Sequence, residues 1–356
     1  MTIWGTDEGK GTIAMRRLIP LAALVLMPLF LPTGQLTAHA TTALEGVPQF
    51  GHVFVIIGEN TDLSQLNKNS APYQTGFIKP NSAWLTNFWA TSHYSTSNYI
   101  GMTSGQYLPC DQNDDPPATC NQDVTNIFGQ LTGAGVSWKE WNESMPSPCY
   151  LVNAGSSKTF NSYRVKHNPA VYYADTEGSG GVWSSTSNGL QGTSSTCLNN
   201  VVSTGGTGPN DTSTLDAALA SGNVPSFNYI VPNQCEDGHD NCGPNSNRVL
   251  QFDQFLQREV PKILSSPAFT SDPNALLIVT YDEGNGAGPH QADKQPDGFG
   301  GGNTAFAVMG SLVHNKAYGA LHNQYGLLRT LEDGYGISTH PEGAGNPTSP
   351  INEIWK

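Results

Sequence analysis

Charge is scarce in this chain: Asp, Glu, Lys and Arg make up 13% of 356 residues, about half the share usual for a soluble domain. Basic residues are scarcer still, 16 against 29 acidic, for a net charge of −13. No basic block or stripe is present to neutralise a phosphate backbone, and a surface of this sign repels nucleic acid and anionic membranes. Close CxxC pairs are also missing, which argues against a thiolate zinc site. The apolar run from Leu18 to Pro32 is shorter than the ~20 residues a membrane span needs. Pro20, Pro28 and Pro32 interrupt it, which argues against a stable anchor. Neither an internal repeat nor a charged linker divides the remainder.

The run itself reads as an address. Arg16 and Arg17 precede it and Ala38-His39-Ala40 follows, the layout of a secretory signal peptide over residues 1–40 with cleavage after Ala40. Met15-Arg16-Arg17 makes a more ordinary start for such a leader than Met1, so a misassigned start is part of this reading. Removing the leader takes three basic and two acidic residues from totals of 16 and 29, leaving 13 against 27, a net −14. Residues 41–356 are expected to form one domain, exported to the extracellular space or periplasm.

All six cysteines, at 110, 120, 149, 197, 235 and 242, lie in that exported part, where an even number permits complete pairing. Short loop closure favours Cys110 with Cys120 and Cys235 with Cys242, which leaves Cys149 for Cys197. The Ser, Gly, Thr and Asn-rich stretch near 176–208 reads as a surface excursion held by Cys197.

Four apolar runs, Val53–Ile57, Phe227–Val231, Leu276–Thr280 and Ala305–Met309, have the continuity of strands covered on both faces. Helical spacing is visible over Val249–Ile263 and Tyr325–Asp333. Polar groups follow the strands closely. Glu59-Asn60 ends the first run and Asp282-Glu283 the third, where ligands bind in open α/β sheets. Three carboxylates that converge repel one another unless a divalent ion offsets them, so the two pairs read as a hard-cation site. Either pair alone equally suits a helix cap or a turn. Hydroxyls at Ser95, Thr96 and Ser97 are candidate nucleophiles that spacing does not separate. His239, in Asp237-Gly238-His239-Asp240, is a candidate proton donor or metal ligand in a loop pinned by Cys235 and Cys242. His167 is a second candidate for contacting a phosphoryl group. His52 reads as structural, and the contexts of His290, His314, His322 and His340 carry no signal.

Taken in order, Glu59-Asn60, HYSTSNYIGMTSG, YRVKHNP, FNYIVPNQCEDGHD, LLIVTYDEG, NTAFAVMG and HNQYGLLRTLEDGYG resemble the bacterial and fungal phosphoesterase family. That family contains secreted acid phosphatases and phospholipases C, within the alkaline-phosphatase-like superfamily. The resemblance implies a three-layer α/β/α sandwich with a largely parallel central sheet. It places metal ligands at Glu59, Asn60, Asp282 and Glu283, and selects Ser95, three positions before Asn98, as nucleophile and further ligand. It assigns His167 and His239 to the phosphoryl group, with Asp237 in the same loop, and gives Asn98 and Asn303 supporting roles. Relatives often carry two adjacent histidines where this chain has Lys166-His167, so Lys166 is expected to supply charge there. Prolines are common in relatives where Tyr94 and Ser97 stand.

The function implied is metal-dependent hydrolysis of a phosphate ester, of a small molecule or a lipid headgroup. The expectation leans toward an acid-phosphatase-like monoesterase, because no C-terminal lipid-binding extension is evident. A phospholipase C-like phosphodiesterase or a sulfatase would share the same metal and nucleophile. A non-catalytic secreted calcium-binding protein would suit the acidic pairs but has no use for Ser95 or His239.

Overall fold

The computed structural model describes residues 44–110, 113–178, 184–186, 189–244, 246–286 and 298–356; the expected leader lies outside them. Its centre is the first apolar run. Strand β1 (Val53–Gly58) is wholly buried and is flanked in parallel by β5 (Phe227–Val231) on one side and β6 (Leu276–Tyr281) on the other. The other strands of this sheet are β2 (Ala83–Trp89), β3 (Trp138–Asn142), β4 (Val201–Ser203), β7 (Asn303–Gly310), β8 (Ala317–Tyr318) and β9 (His322–Asn323). Their order across the sheet is β8-β2-β7-β6-β1-β5-β3-β4, with β9 also on β2. Within this sheet, among the described residues, the pairings of β7 with β6 and with β2 are antiparallel and the others parallel.

Alternation along β1 explains the layers. Val53, Val55 and Ile57 face one apolar cluster and Phe54 and Ile56 the other, as the period of two in a strand requires. The first cluster is covered by α1 (Ser95–Ser104), α2 (Ile127–Gly133) and α5 (Gln324–Gly334), through residues such as Ile100, Phe128 and Leu328. The second is covered by α3 (Ser213–Ser221) and α4 (Arg248–Ser265), through Leu215, Phe252 and Phe255. The result is the expected three-layer α/β/α sandwich with a mostly parallel sheet. Close packing at the end of β1 demands Gly58, since a Cβ there would sit 2.4 Å from the Phe252 ring.

Cysteines pair as 110–120, 149–197 and 235–242. The expected surface excursion is narrower than 176–208. Val201–Ser203 joins the sheet beside β3 and Val201 is fully buried, because the Cys149–Cys197 bridge carries the segment back to the core.

Candidate active site

The carboxyl ends of β1, β5 and β6 are tied together before any side chain is considered. Glu59 N donates to Asp237 O (2.8 Å), Asp282 N to Gly58 O (2.9 Å) and Thr61 N to Glu283 O (2.9 Å). Asn60 turns the chain with a left-handed φ of 46°, a conformation asparagine tolerates better than most residues. Its N–H thereby reaches Asp282 Oδ1 at 3.1 Å. Polar side chains from three distant parts of the sequence are thus delivered to one point.

Ser95 opens α1, where the helix N-terminus favours negative charge. Its hydroxyl donates to Glu59 Oε2 at 3.2 Å and accepts from Lys166 Nζ at 3.2 Å. Asn98 holds the approach to the helix by accepting from Ser92 N and donating to the carbonyls of Ser92 and Tyr94. Lys166 also donates to Asp114 Oδ2 at 3.1 Å, and Asp114 Oδ1 accepts from Thr96 N. Burial works against the Lys166 charge, but the carboxylates of Glu59 and Asp114 prevail and raise its pKa.

His167 stacks on Tyr99 with ring centroids 5.4 Å apart. Its Nδ1 lies 3.2 Å from Asp237 Oδ2 and its Nε2 3.3 Å from Glu59 Oε1. His239, in the same loop as Asp237, is turned by Asp240 Oδ1 (3.0 Å) and Gln234 Nε2 (3.1 Å) at its Nδ1. Ligand atoms of Glu59, His167 and His239 all lie within 4.8 Å of one another.

Glu59, Asp237 and Asp282 are fully buried. Burial, reinforced by their mutual repulsion, pushes Glu59 and Asp237 far above the carboxylate range, and burial together with Glu283 pushes Asp282 up to about 8. Burial, aided by Lys166, holds His167 far below and His239 below the ordinary imidazole value. Glu59 Oε1, Asp237 Oδ2, Asp282 Oδ2 and His167 Nε2 are buried without a hydrogen-bond partner, although His167 stands beside two of those oxygens. Atoms that converge without bonding one another fit a divalent cation, which would replace the protons on the acids. The donors combine carboxylate oxygen with imidazole nitrogen, and they include His167, which the sequence reading gave to the phosphoryl group and not to a metal.

Two expected residues stand apart. Glu283 directs Oε2 to His93 Nδ1 at 2.8 Å, which raises the His93 pKa, while its charge still acts on Asp282. Asn303 does not reach the cluster through any contact seen here. It begins β7 and donates to Phe88 O and Thr86 O across the irregularity in β2, so its support goes to the sheet. Sequence reasoning missed Asp114, His93, Tyr99 and Gln324. Gln324 accepts from Thr91 N at 2.9 Å and donates to Asp282 O. Their partners are distant in sequence, and the hints were the HYSTSNY stretch, which holds both His93 and Tyr99, and the HNQYG stretch, which holds Gln324.

The chain matches the Phosphoesterase family model over residues 52–338. It is 25% identical over 249 residues to the probable acid phosphatase of Kluyveromyces lactis, covering 69% of this chain and 50% of that protein. It is 24% identical over 318 residues to the phosphatidylinositol-3-phosphatase of Mycobacterium tuberculosis, covering 88% of this chain and 85% of that protein. The chain therefore spans about half the length of the yeast relative. A solved structure of an alkaline phosphatase superfamily protein from Vibrio parahaemolyticus superposes with a TM-score of 0.53 at 12% identity, over 86% of this chain and 72% of that one; the likeness is one of fold.

Proposed function

Because the chain belongs to the phosphoesterase family, we propose that it hydrolyses phosphate monoesters through Ser95, as a metal-dependent, exported phosphatase. The observation that carries this reading is the Ser95 hydroxyl held between a buried carboxylate and an ammonium, each at 3.2 Å. Of the residues at the site, Glu59, Asp282 and His167 are those that would hold a divalent cation. When bound, the cation would neutralise the acids and withdraw charge from the ester oxygens.

The chain's own residues account for the remaining steps. Lys166 draws the phosphoryl group toward Ser95, and the N-terminus of α1 stabilises its developing charge. Ser95 Oγ bonds to phosphorus in line as the bond to the leaving oxygen breaks, and the hydroxyl proton passes to Glu59. His239 delivers a proton to the leaving oxygen. Water then attacks the phosphoserine and gives up a proton to His239, while the departing serine oxygen regains its proton from Glu59, which releases phosphate and restores the hydroxyl. Asp237 orients His167, and Asn98 fixes the loop that presents Ser95. Residues 1–40 act as the export leader and 41–356 as a single catalytic domain; three disulfides suit an oxidising compartment.

Lys166 favours a dianionic monoester over a monoanionic diester, because its attraction grows with phosphate charge. The test is turnover of p-nitrophenyl phosphate by Ser95→Ala protein. Loss of turnover with unchanged metal content and melting temperature is expected; full turnover overturns the covalent route.

A further inference from the structure

A second group of acids and a histidine lies at the far end of α5. Glu332 and Asp333 close that helix, His340 follows in the next loop, and Glu45 comes from the start of the described chain. Gln324, which supports Asp282, opens the same helix. Nine residues separate it from Asp333, about 13 Å at 1.5 Å per residue, so this group is separate from the Ser95 site. We propose that Glu45, Asp333 and His340 form a second cation site, suited to a zinc-like divalent ion, which clamps the segment at Glu45 to α5.

Three observations carry this. One ligand atom each from Glu45, Asp333 and His340 lies within 4.8 Å of the other two, a spread that small side-chain movements close onto one ion with bonds of about 2 Å. Asp333 is 3% exposed and lines the same cavity of about 350 Å³ as Glu45, Arg329 and His340, yet neither of its carboxylate oxygens has a hydrogen-bond partner. A buried aspartate normally satisfies both oxygens.

The third is the setting of His340. Its Nδ1 lies 2.8 Å from Oε2 of the fully buried Glu332. With the proton on Nδ1, donated to that carboxylate, the Nε2 lone pair is free. Nε2 stands 3.3 Å from Asp333 Oδ1, so both donors face the space between them. A carboxylate behind an imidazole is how metal-binding histidines are usually oriented. Arg329 plays the matching part for Glu45, donating from Nε and Nη2 to its two oxygens at 2.7 and 2.6 Å.

Charge and donor type define the ligand. With the acids ionised, as a bound cation would hold them, Glu45, Glu332 and Asp333 against Arg329 would leave two negative charges, the amount one divalent ion supplies. One imidazole with two carboxylates suits zinc or manganese better than calcium or magnesium, which prefer oxygen alone. A bound ion would join the Glu45 segment, itself held by Asn352 Nδ2 on Glu45 O at 3.2 Å, to the helix and to the loop bearing His340.

The test uses full-length protein, as wild type and as Asp282→Asn, each with and without Asp333→Asn. Zinc is counted by mass spectrometry after equilibrium dialysis, and melting is followed with and without a chelator. Adding Asp333→Asn is expected to remove one equivalent of zinc from either background and to abolish the part of the chelator effect on melting that survives in Asp282→Asn. Equal zinc content with and without Asp333→Asn overturns the site. The subtraction is the same whatever Asp282 binds, so its failure is distinguishable from failure of the active-site reading. Should Asp333→Asn not fold, His340→Gln is read in the same way. Glu332→Gln is expected to keep the site but weaken zinc about 10- to 100-fold; unchanged affinity would remove Glu332 from the arrangement.

Discussion

Replacing Lys166 by methionine removes the ammonium from Ser95 while keeping most of its apolar stem. Its Nζ lies 3.2 Å from Ser95 Oγ and 3.1 Å from Asp114 Oδ2, so a phosphoryl group arriving at Oγ brings its outer oxygens to about 4 Å from Nζ. Two unit charges at that distance attract by about 4 kcal/mol at an effective dielectric constant near 20. Water that fills the space of the lost ammonium recovers roughly half of this, leaving about 2 kcal/mol for each unit of phosphate charge. A dianionic monoester then loses about 4 kcal/mol and a monoanionic diester about 2, or roughly a thousandfold and thirtyfold in kcat/KM. The assay compares p-nitrophenyl phosphate with bis(p-nitrophenyl) phosphate on wild type and variant with matched metal content. Equal losses on the two substrates, or a loss under about threefold on the monoester, refute the electrostatic argument. Lys166→Arg should recover only part of the rate, since a planar guanidinium spreads its charge over a different geometry.

Glu140 gives a pH-dependent counterpart. It is fully buried on β3, and burial pushes it up to about 8 against the N–H of Ala170 and the amide of Asn142. Unfolded glutamate titrates near 4.3, so the unfolded chain releases this proton first. Glu140 therefore contributes full stability below about pH 4 and loses it progressively up to about pH 8. Between pH 5 and 8, wild type should lose about 4 kcal/mol more in urea than Glu140→Gln, whose new amide can donate to the otherwise unpartnered Asn142 Oδ1; parallel pH curves would contradict this. Opening the Cys149–Cys197 bridge by Cys149→Ser with Cys197→Ser releases a loop of sequence separation 48. It should cost about 4 kcal/mol, read by urea unfolding, and an unchanged midpoint would be incompatible with that link.

The central sheet was legible where burial is complete. Val53–Gly58 is an uninterrupted apolar run and Leu276–Tyr281 is broken only by Thr280, because both faces are covered, and Phe227–Val231 carries Asn228, which accepts from the Trp141 indole. Strands β2, β3 and β4 were not seen. Asn87 of β2 and Lys139 and Glu140 of β3 break the apolar pattern, and β4 is three residues long. At the site, Glu59, Asp237 and Asp282, which follow strong strands, lie close enough for their carboxylates to repel one another. What the local pattern could not give was direction. Glu283 is adjacent to Asp282, yet the hydrogen bond that orients it comes from a neighbour 190 positions away, His93. Asn303 could not be told from a site residue because its acceptors are carbonyls of another strand. Asp114 was hidden among several acids of a polar loop, and its meaning comes only from Lys166, 52 positions on.

The most direct test follows the phosphorus. Wild-type protein loaded with metal is mixed with p-nitrophenyl phosphate, quenched in acid within the first turnover, digested and mapped by mass spectrometry. The account predicts one phosphoryl group on the peptide containing Ser95, absent from Ser95→Ala and lost on a chase before quenching. Nitrophenol release in a single turnover with unmodified protein throughout, or phosphate carried by another residue, would contradict it.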